Sequence, residues 1–186
     1  MAEYLTIVHD VADYDAWRPY FDANKPNREA AGLSDLLVVR NADAPNTIGM
    51  IFAAEDPEAA MAIAGSPELA ETMQKAGVIG QPSIKRREGE FTPQASETYL
   101  TINCTMESMD KFRRAFAMDA DKRADAGLTD LGVMQEKGQP NDLFLLWSVD
   151  DRSRADAFMS SPDLARHQVE NAGITSVPQL RYWTAT

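Results

Sequence analysis

The chain has 186 residues, 44% of them hydrophobic and 25% charged, the make-up of a globular protein of one or two small domains. Its net charge of -11 repels a phosphate backbone, and the one basic cluster, Lys85-Arg86-Arg87, is too short to offset that, so nucleic acid is not an expected partner. A single cysteine, Cys104, excludes an internal disulfide and any multi-cysteine metal site, and it suits a reducing, cytoplasmic setting.

The first residues, Met1-Ala-Glu-Tyr-Leu-Thr-Ile-Val-His9, lead directly into a strand pattern without the basic and apolar regions of a secretory leader. No apolar run approaches the ~20 residues of a membrane span. From Tyr4 to Val11 the alternation places Leu5, Ile7, His9 and Val11 on one face of a strand. Asp13 is the expected N-cap of a helix on which Trp17, Tyr20/Phe21, Asn24 and Arg28 recur at helical spacing up to Gly32, with Pro26 expected to kink or end it. Leu33–Arg40 and Thr47–Ala54 read as a hairpin around the turn residues Asn41-Ala-Asp-Ala-Pro-Asn46. Asp56-Pro57 opens a second helix, which breaks at Gly65-Ser66-Pro67 and restarts with Ser66 as N-cap. Pro82–Arg87 is expected to be a short last strand. The order is β-α-β-β-α-β, the ferredoxin-like split unit.

That order occurs twice. Tyr4-Leu-Thr-Ile7 returns as Tyr99-Leu-Thr-Ile102, and an offset of 95 holds as far as Gln74/Val169. Arg18/Arg113, Phe21/Phe116, Arg28/Arg123, Gly32/Gly127, Asp35/Asp130 and Ser66-Pro67/Ser161-Pro162 all match, and roughly a third of aligned positions are identical, which marks an internal duplication. The expected organisation is a first repeat over 1–88, a polar linker over 89–97 and a second repeat over 98–186. A four-stranded sheet with both helices on one face leaves its other face to be buried, and a second copy supplies the cover. The expected fold class is therefore α+β: two tandem ferredoxin-like βαββαβ units packed sheet to sheet as an intrachain dimeric α/β barrel. Its state in solution is expected to be a pseudo-dimeric monomer or a homodimer.

The stretches His9-Asp-Val-Ala-Asp-Tyr-Asp-Ala-Trp17, Arg28-Glu-Ala-Ala-Gly32, Arg40-Asn-Ala-Asp-Ala-Pro-Asn46 and Ser66-Pro-Glu-Leu69 with Ala76-Gly-Val-Ile-Gly-Gln-Pro82 resemble the dimeric α/β-barrel superfamily. They are most similar to small one-unit proteins related to antibiotic-biosynthesis monooxygenases, often labelled "cyclase". The resemblance implies a range of activities: cofactor-independent oxygenases of polycyclic phenols or quinols, cyclases, isomerases, decarboxylases, haem-handling enzymes, and members without known activity. Fold does not choose among them.

His9 is the candidate catalytic residue. On an apolar strand face, an imidazole can serve as general base or hydrogen-bond donor near neutral pH; the competing reading is a hydrogen-bonded core histidine. Its equivalent in the second repeat is Cys104, and that of Trp17 is Phe112, so the first repeat is expected to hold the working pocket with the second as its wall. Trp17, Tyr20, Phe52, Cys104 and Trp147 are the expected pocket residues, against the alternative that they are ordinary core. Cys104 reads as a small buried hydrophobe rather than a nucleophile. Arg28/Arg123 with Asp35/Asp130 read as structural pairs, Asp15/Arg18 as an exposed helix pair, and His167 as solvated. The inventory offers no metal site, no phosphate loop and no Ser-His-Asp set, so no cofactor is expected, with haem as a weaker alternative. Two functions follow: a cofactor-independent monooxygenase or cyclase acting on a small aromatic or polyketide-like molecule, or a non-catalytic small-molecule-binding or stress-associated protein. An open cavity reaching His9 favours the first, and a filled interior the second.

Overall fold

A computed structural model describes residues 2–186. The first ββ and αα elements are β1 (Ala2–Val11), α1 (Tyr14–Ala23), α2 (Lys25–Ala30), β2 (Leu33–Asn41), β3 (Thr47–Ala54), α3 (Pro57–Ala64), α4 (Pro67–Lys75) and β4 (Val78–Phe91). The same series follows as β5 (Thr98–Thr105), α5 (Met109–Met118), α6 (Ala120–Asp125), β6 (Leu128–Glu136), β7 (Asp142–Val149), α7 (Arg152–Met159), α8 (Pro162–Glu170) and β8 (Gln179–Ala185). The fold is α+β, a ferredoxin-like βαββαβ unit carried in tandem, with each helix of the motif split in two.

The splits have local causes. Asp13 accepts from the Ala16 backbone N–H and starts α1, while Asn24, at φ -88 and ψ 3, ends it. Pro26 lies in the first turn of α2, where its missing N–H has no helical partner to lose, so the break falls two residues before it. Asp56 caps α3 through the N–H groups of Glu58 and Ala59, and Ser66 caps α4 through that of Leu69. Ser161 caps α8 through Leu164 in the same way. At Gly32 and Gly127, φ is 72° and 73°, a left-handed conformation that stops α2 and α6 alike and that glycine adopts at least cost.

The chain forms two compact units: residues up to Glu88 together with Trp183–Thr186, and Gly89–Tyr182. In the first unit the strand order is β4-β1-β3-β2, with the end of β8 beside β2 through Val39↔Ala185, Arg40↔Thr184 and Asn41↔Trp183. In the second it is β8-β5-β7-β6, with the end of β4 beside β6, where the Thr92 N–H reaches the Leu131 carbonyl at 2.7 Å. The two units thus repeat one strand order. The pairings β1·β3, β2·β3, β5·β7 and β6·β7 are antiparallel, and the two hairpins carry the same bulge, between Asp35 and Leu37 and between Asp130 and Gly132.

Two expectations change. The last strand of the first repeat runs over Val78–Phe91 rather than Pro82–Arg87, and it includes Gly80 and Gly89. Gly89–Phe91 is part of this strand, and Trp183–Thr186 group with the first unit. Arg18 pairs with Asp22 at 2.9 Å, one turn on, rather than with Asp15.

In the first unit the helix-facing side of the sheet is built from Leu5, Ile48, Met50 and Phe52, packed against Trp17 and Ala60. β3 is buried from Ile48 to Phe52 and passes Trp183 at Gly49, where an added Cβ would lie 2.9 Å from the indole ring. No helix among the described residues is long and apolar enough to cross a membrane.

Candidate functional site

His9 is on the helix-facing side of its sheet. The period-two alternation of β1 turns Leu5, Ile7 and His9 toward α1, and His9 meets Trp17 edge to face, with ring centroids 5.5 Å apart. Trp17 stacks in turn on Phe21 at 4.9 Å, and Phe21 leans on Phe52 at 6.5 Å. These rings wall a cavity of about 180 Å3 between sheet and helices. An apolar cavity of about 150 Å3 holds a benzene molecule, so this one has room for one or two fused rings. Trp17, Tyr20 and Phe52 all line it; Tyr20, 54% exposed, stands at the surface while Trp17 and Phe52 are buried.

The polar groups of the cavity divide sharply. Arg28 grips Asp35 with two bonds of 2.9 and 2.6 Å, donates a third to the Phe21 carbonyl at 2.6 Å, and stacks over the Phe21 ring at 3.7 Å. Its charge is neutralised. Thr72 donates to the Glu68 carbonyl within its own helix. His9, 6% exposed, is different: both ring nitrogens are buried and neither has a hydrogen-bond partner. The side-chain oxygen of Asn24 is likewise buried and unpartnered. Buried polar atoms are nearly always paired, and these three unpaired ones belong to two residues that line the same cavity. Burial pushes the His9 pKa down to about 4, with Asp10 opposing the shift, so the imidazole is neutral at pH 7.

The second unit repeats the frame and closes the space. Phe112, Phe116 and Trp147 form the equivalent stack, with contacts of 5.1 and 6.3 Å. Arg123 bonds Asp130 at 2.9 and 2.8 Å and the Phe116 carbonyl at 2.6 Å. The pairs expected to tie a helix end to the next strand do so in both units. The cavity here is about 50 Å3, near the size of a water or two, and it is lined by Cys104 and Trp147. These two expected pocket residues therefore belong to the second unit's own cavity and not to that of His9. Burial raises the Cys104 pKa to about 11, with Asp142 adding to the shift, which leaves an inert thiol. The Trp147 indole donates to Asp130 at 2.6 Å, a bond that Phe52 cannot make in the first unit.

Two residues differ in their partners between the units: Asp119, which the sequence reading did not single out, and His167, which it placed in solvent. Asp119 stands where the first unit has Asn24, and His167 where it has Thr72. His167 is not solvated. The Asn171 amide donates to its Nδ1, which leaves the Nε2–H for the Ala115 carbonyl and the Asp119 carboxylate, each 3.1 Å away. Lys122 holds the same carboxylate at 2.8 Å. Every polar group that is unpartnered in the first cavity is replaced or satisfied in the second. The divergence between aligned positions 24/119 and 72/167 was the available signal. Among the described residues, no group of three or more His, Cys, Asp or Glu side chains is placed to hold a metal ion.

No family model matches the chain, and no curated protein does. Solved structures do. An anthrone oxidase-like protein is similar over 100% of this chain and 91% of its own, at 9% identity and a TM-score of 0.61. An uncharacterised ferredoxin-fold protein from Listeria monocytogenes, related to antibiotic biosynthesis monooxygenases, is similar over 100% and 95%, at 7% identity and a TM-score of 0.55. A monooxygenase-like protein from Listeria innocua is similar over 100% and 94%, at 8% identity and a TM-score of 0.54. At these identities the shared property is the fold, and it extends over the whole chain, both repeats included.

Proposed function

We propose that the first unit's cavity is the active site of a cofactor-independent monooxygenase acting on a small phenolic aromatic. The observation that carries this reading is His9: a buried neutral imidazole with two unpartnered nitrogens on the wall of a cavity of one- to two-ring size. The names of the structural neighbours, anthrone oxidase-like and monooxygenase-like, agree with it in kind.

The chemistry asked of the protein is modest. The lone pair of His9 takes the proton of a bound phenol, and the phenolate beside it offsets the cost of the charged imidazolium. The electron-rich phenolate passes one electron to dioxygen. The resulting radicals combine at the para carbon, and the proton returns from His9 to the peroxide oxygen. Loss of water then leaves a carbonyl at that carbon. The balance is one phenol with a free para C–H plus one dioxygen, giving one para-quinone and one water. Trp17 and Phe52 supply the apolar walls that hold the ring and keep water from the phenolate.

The test is oxygen uptake by the purified chain with 1-naphthol, in the presence of EDTA and without added flavin. The expected result is uptake matched one to one by 1,4-naphthoquinone, falling roughly 100-fold or more in His9→Phe, the range for loss of a general base. Saturable binding without uptake would establish the non-catalytic alternative instead. An unchanged rate in the variant would remove His9 from the mechanism.

A further inference from the structure

The unpartnered atoms of the first cavity also define what it selects. They lie on two elements: His9 on β1 and Asn24 at the junction of α1 and α2. A neutral imidazole presents one donor and one acceptor, and the Asn24 oxygen presents an acceptor. Among the described residues lining the cavity, the one arginine or lysine is Arg28, and it is already bound twice to Asp35 and once to the Phe21 carbonyl. An anionic ligand therefore finds no free counter-charge there, while a ligand carrying two hydroxyl groups finds a partner for each.

We infer that this cavity selects uncharged aromatic molecules with two separated hydroxyl groups, one bonded to His9 and the other donating to the side-chain oxygen of Asn24, so that Asn24 is a specificity-determining residue. The inference rests on the reading of this cavity as the ligand site and adds the polarity of its ligand. The duplication supplies an internal comparison. In the second unit, Asp119 holds the position of Asn24, but its carboxylate is occupied by His167 and Lys122, and the space shrinks from about 180 to about 50 Å3. Where the carbonyl-type oxygen at this position is free, the cavity is open; where it is engaged, the cavity is small.

Binding under nitrogen, where no turnover occurs, tests the proposal by titration calorimetry with naphthalene, 1-naphthol, the dihydroxynaphthalene isomers and 1-naphthoate. Affinity should rise roughly tenfold from naphthalene to 1-naphthol and roughly tenfold again to the best dihydroxy isomer, the worth of one buried hydrogen bond at each step. The carboxylate should bind more weakly than 1-naphthol. Asn24→Ala should abolish the second step and leave the first, whereas His9→Phe should abolish the first. Asn24→Asp, which installs the residue that the second unit folds with, keeps an acceptor oxygen and should keep the second step. Equal affinity across the probes, or a second step that survives Asn24→Ala, overturns the inference. Loss of the second step in Asn24→Asp overturns the acceptor role. Selective binding without oxygen uptake in air would sink the monooxygenase reading alone; turnover without the affinity steps would sink this inference alone.

Discussion

His9 and Trp17 meet edge to face, their ring planes at 80° and their centroids 5.5 Å apart, and His9 is 6% exposed. The burial has a thermodynamic consequence. The His9 pKa drops from 6.5 in the unfolded chain to about 4 in the folded one. Between those values the unfolded chain binds more protons than the folded one, so His9 makes stability fall as pH is lowered through this window and adds no slope above it. The full effect is about 3 kcal/mol. Urea unfolding of the wild type and of His9→Phe, compared from pH 7 to pH 4, should show this extra loss only in the wild type. Parallel curves would mean that His9 is solvated.

Asp35 and Asp130 occupy equivalent places but support different loads. Both bind their arginine through two oxygens, yet Asp130 also accepts from the Trp147 indole at 2.6 Å. Asp130→Ala leaves a buried guanidinium and a buried indole N–H without their partner, whereas Asp35→Ala leaves only the guanidinium. Chemical denaturation should show Asp130→Ala to be the more damaging by about 1–2 kcal/mol, the cost of one further orphaned donor.

Cys104, 8% exposed and with its pKa pushed up to about 11, should be silent to thiol reagents in the native protein at pH 8. Its modification should follow the opening of the second unit. A disulfide-exchange reagent added along a urea gradient therefore reports the same midpoint as circular dichroism, and rapid labelling without denaturant would contradict the burial.

Gly49 faces the Trp183 ring so closely that a Cβ would lie 2.9 Å from it. Gly49→Val should shift the ring and cost about 1–3 kcal/mol, the usual range for overpacking. A change in tryptophan emission should accompany the loss, and thermal unfolding measures it. A variant with wild-type Tm and emission would mean that the indole has room to retreat.

Much of this molecule is legible in the sequence because its punctuation is chemical. Asp13, Asp56, Ser66 and Ser161 announce helix starts with oxygens that accept backbone N–H groups, and Gly32 and Gly127 announce stops. The constant offset of 95 then doubles every local reading. The reach of β4 was hidden because it includes Gly80 and Gly89, residues that locally read as breakers. The partnership of His167 with Asp119 was hidden because it joins α8 to the junction of α5 and α6, and helical periodicity reports only which residues share one face. Asn24 was visible as part of a helical stripe, but its unpartnered oxygen is a property of what is missing around it, which no pattern of residue types encodes.

The division of β4 and β8 between the two units has a consequence for taking the protein apart. A fragment cut at the repeat boundary, 1–88, would lose Trp183–Thr186, the residues that lie beside β2 and cover Gly49. A fragment 98–186 would lose Gly89–Phe91 from beside β6. Each would carry a raw β edge into solution, the usual start of aggregation. Each repeat keeps four strands of its own, yet each unit is completed by a few residues that the sequence repeat assigns elsewhere, so the boundary of the repeat is not the boundary of the folded unit.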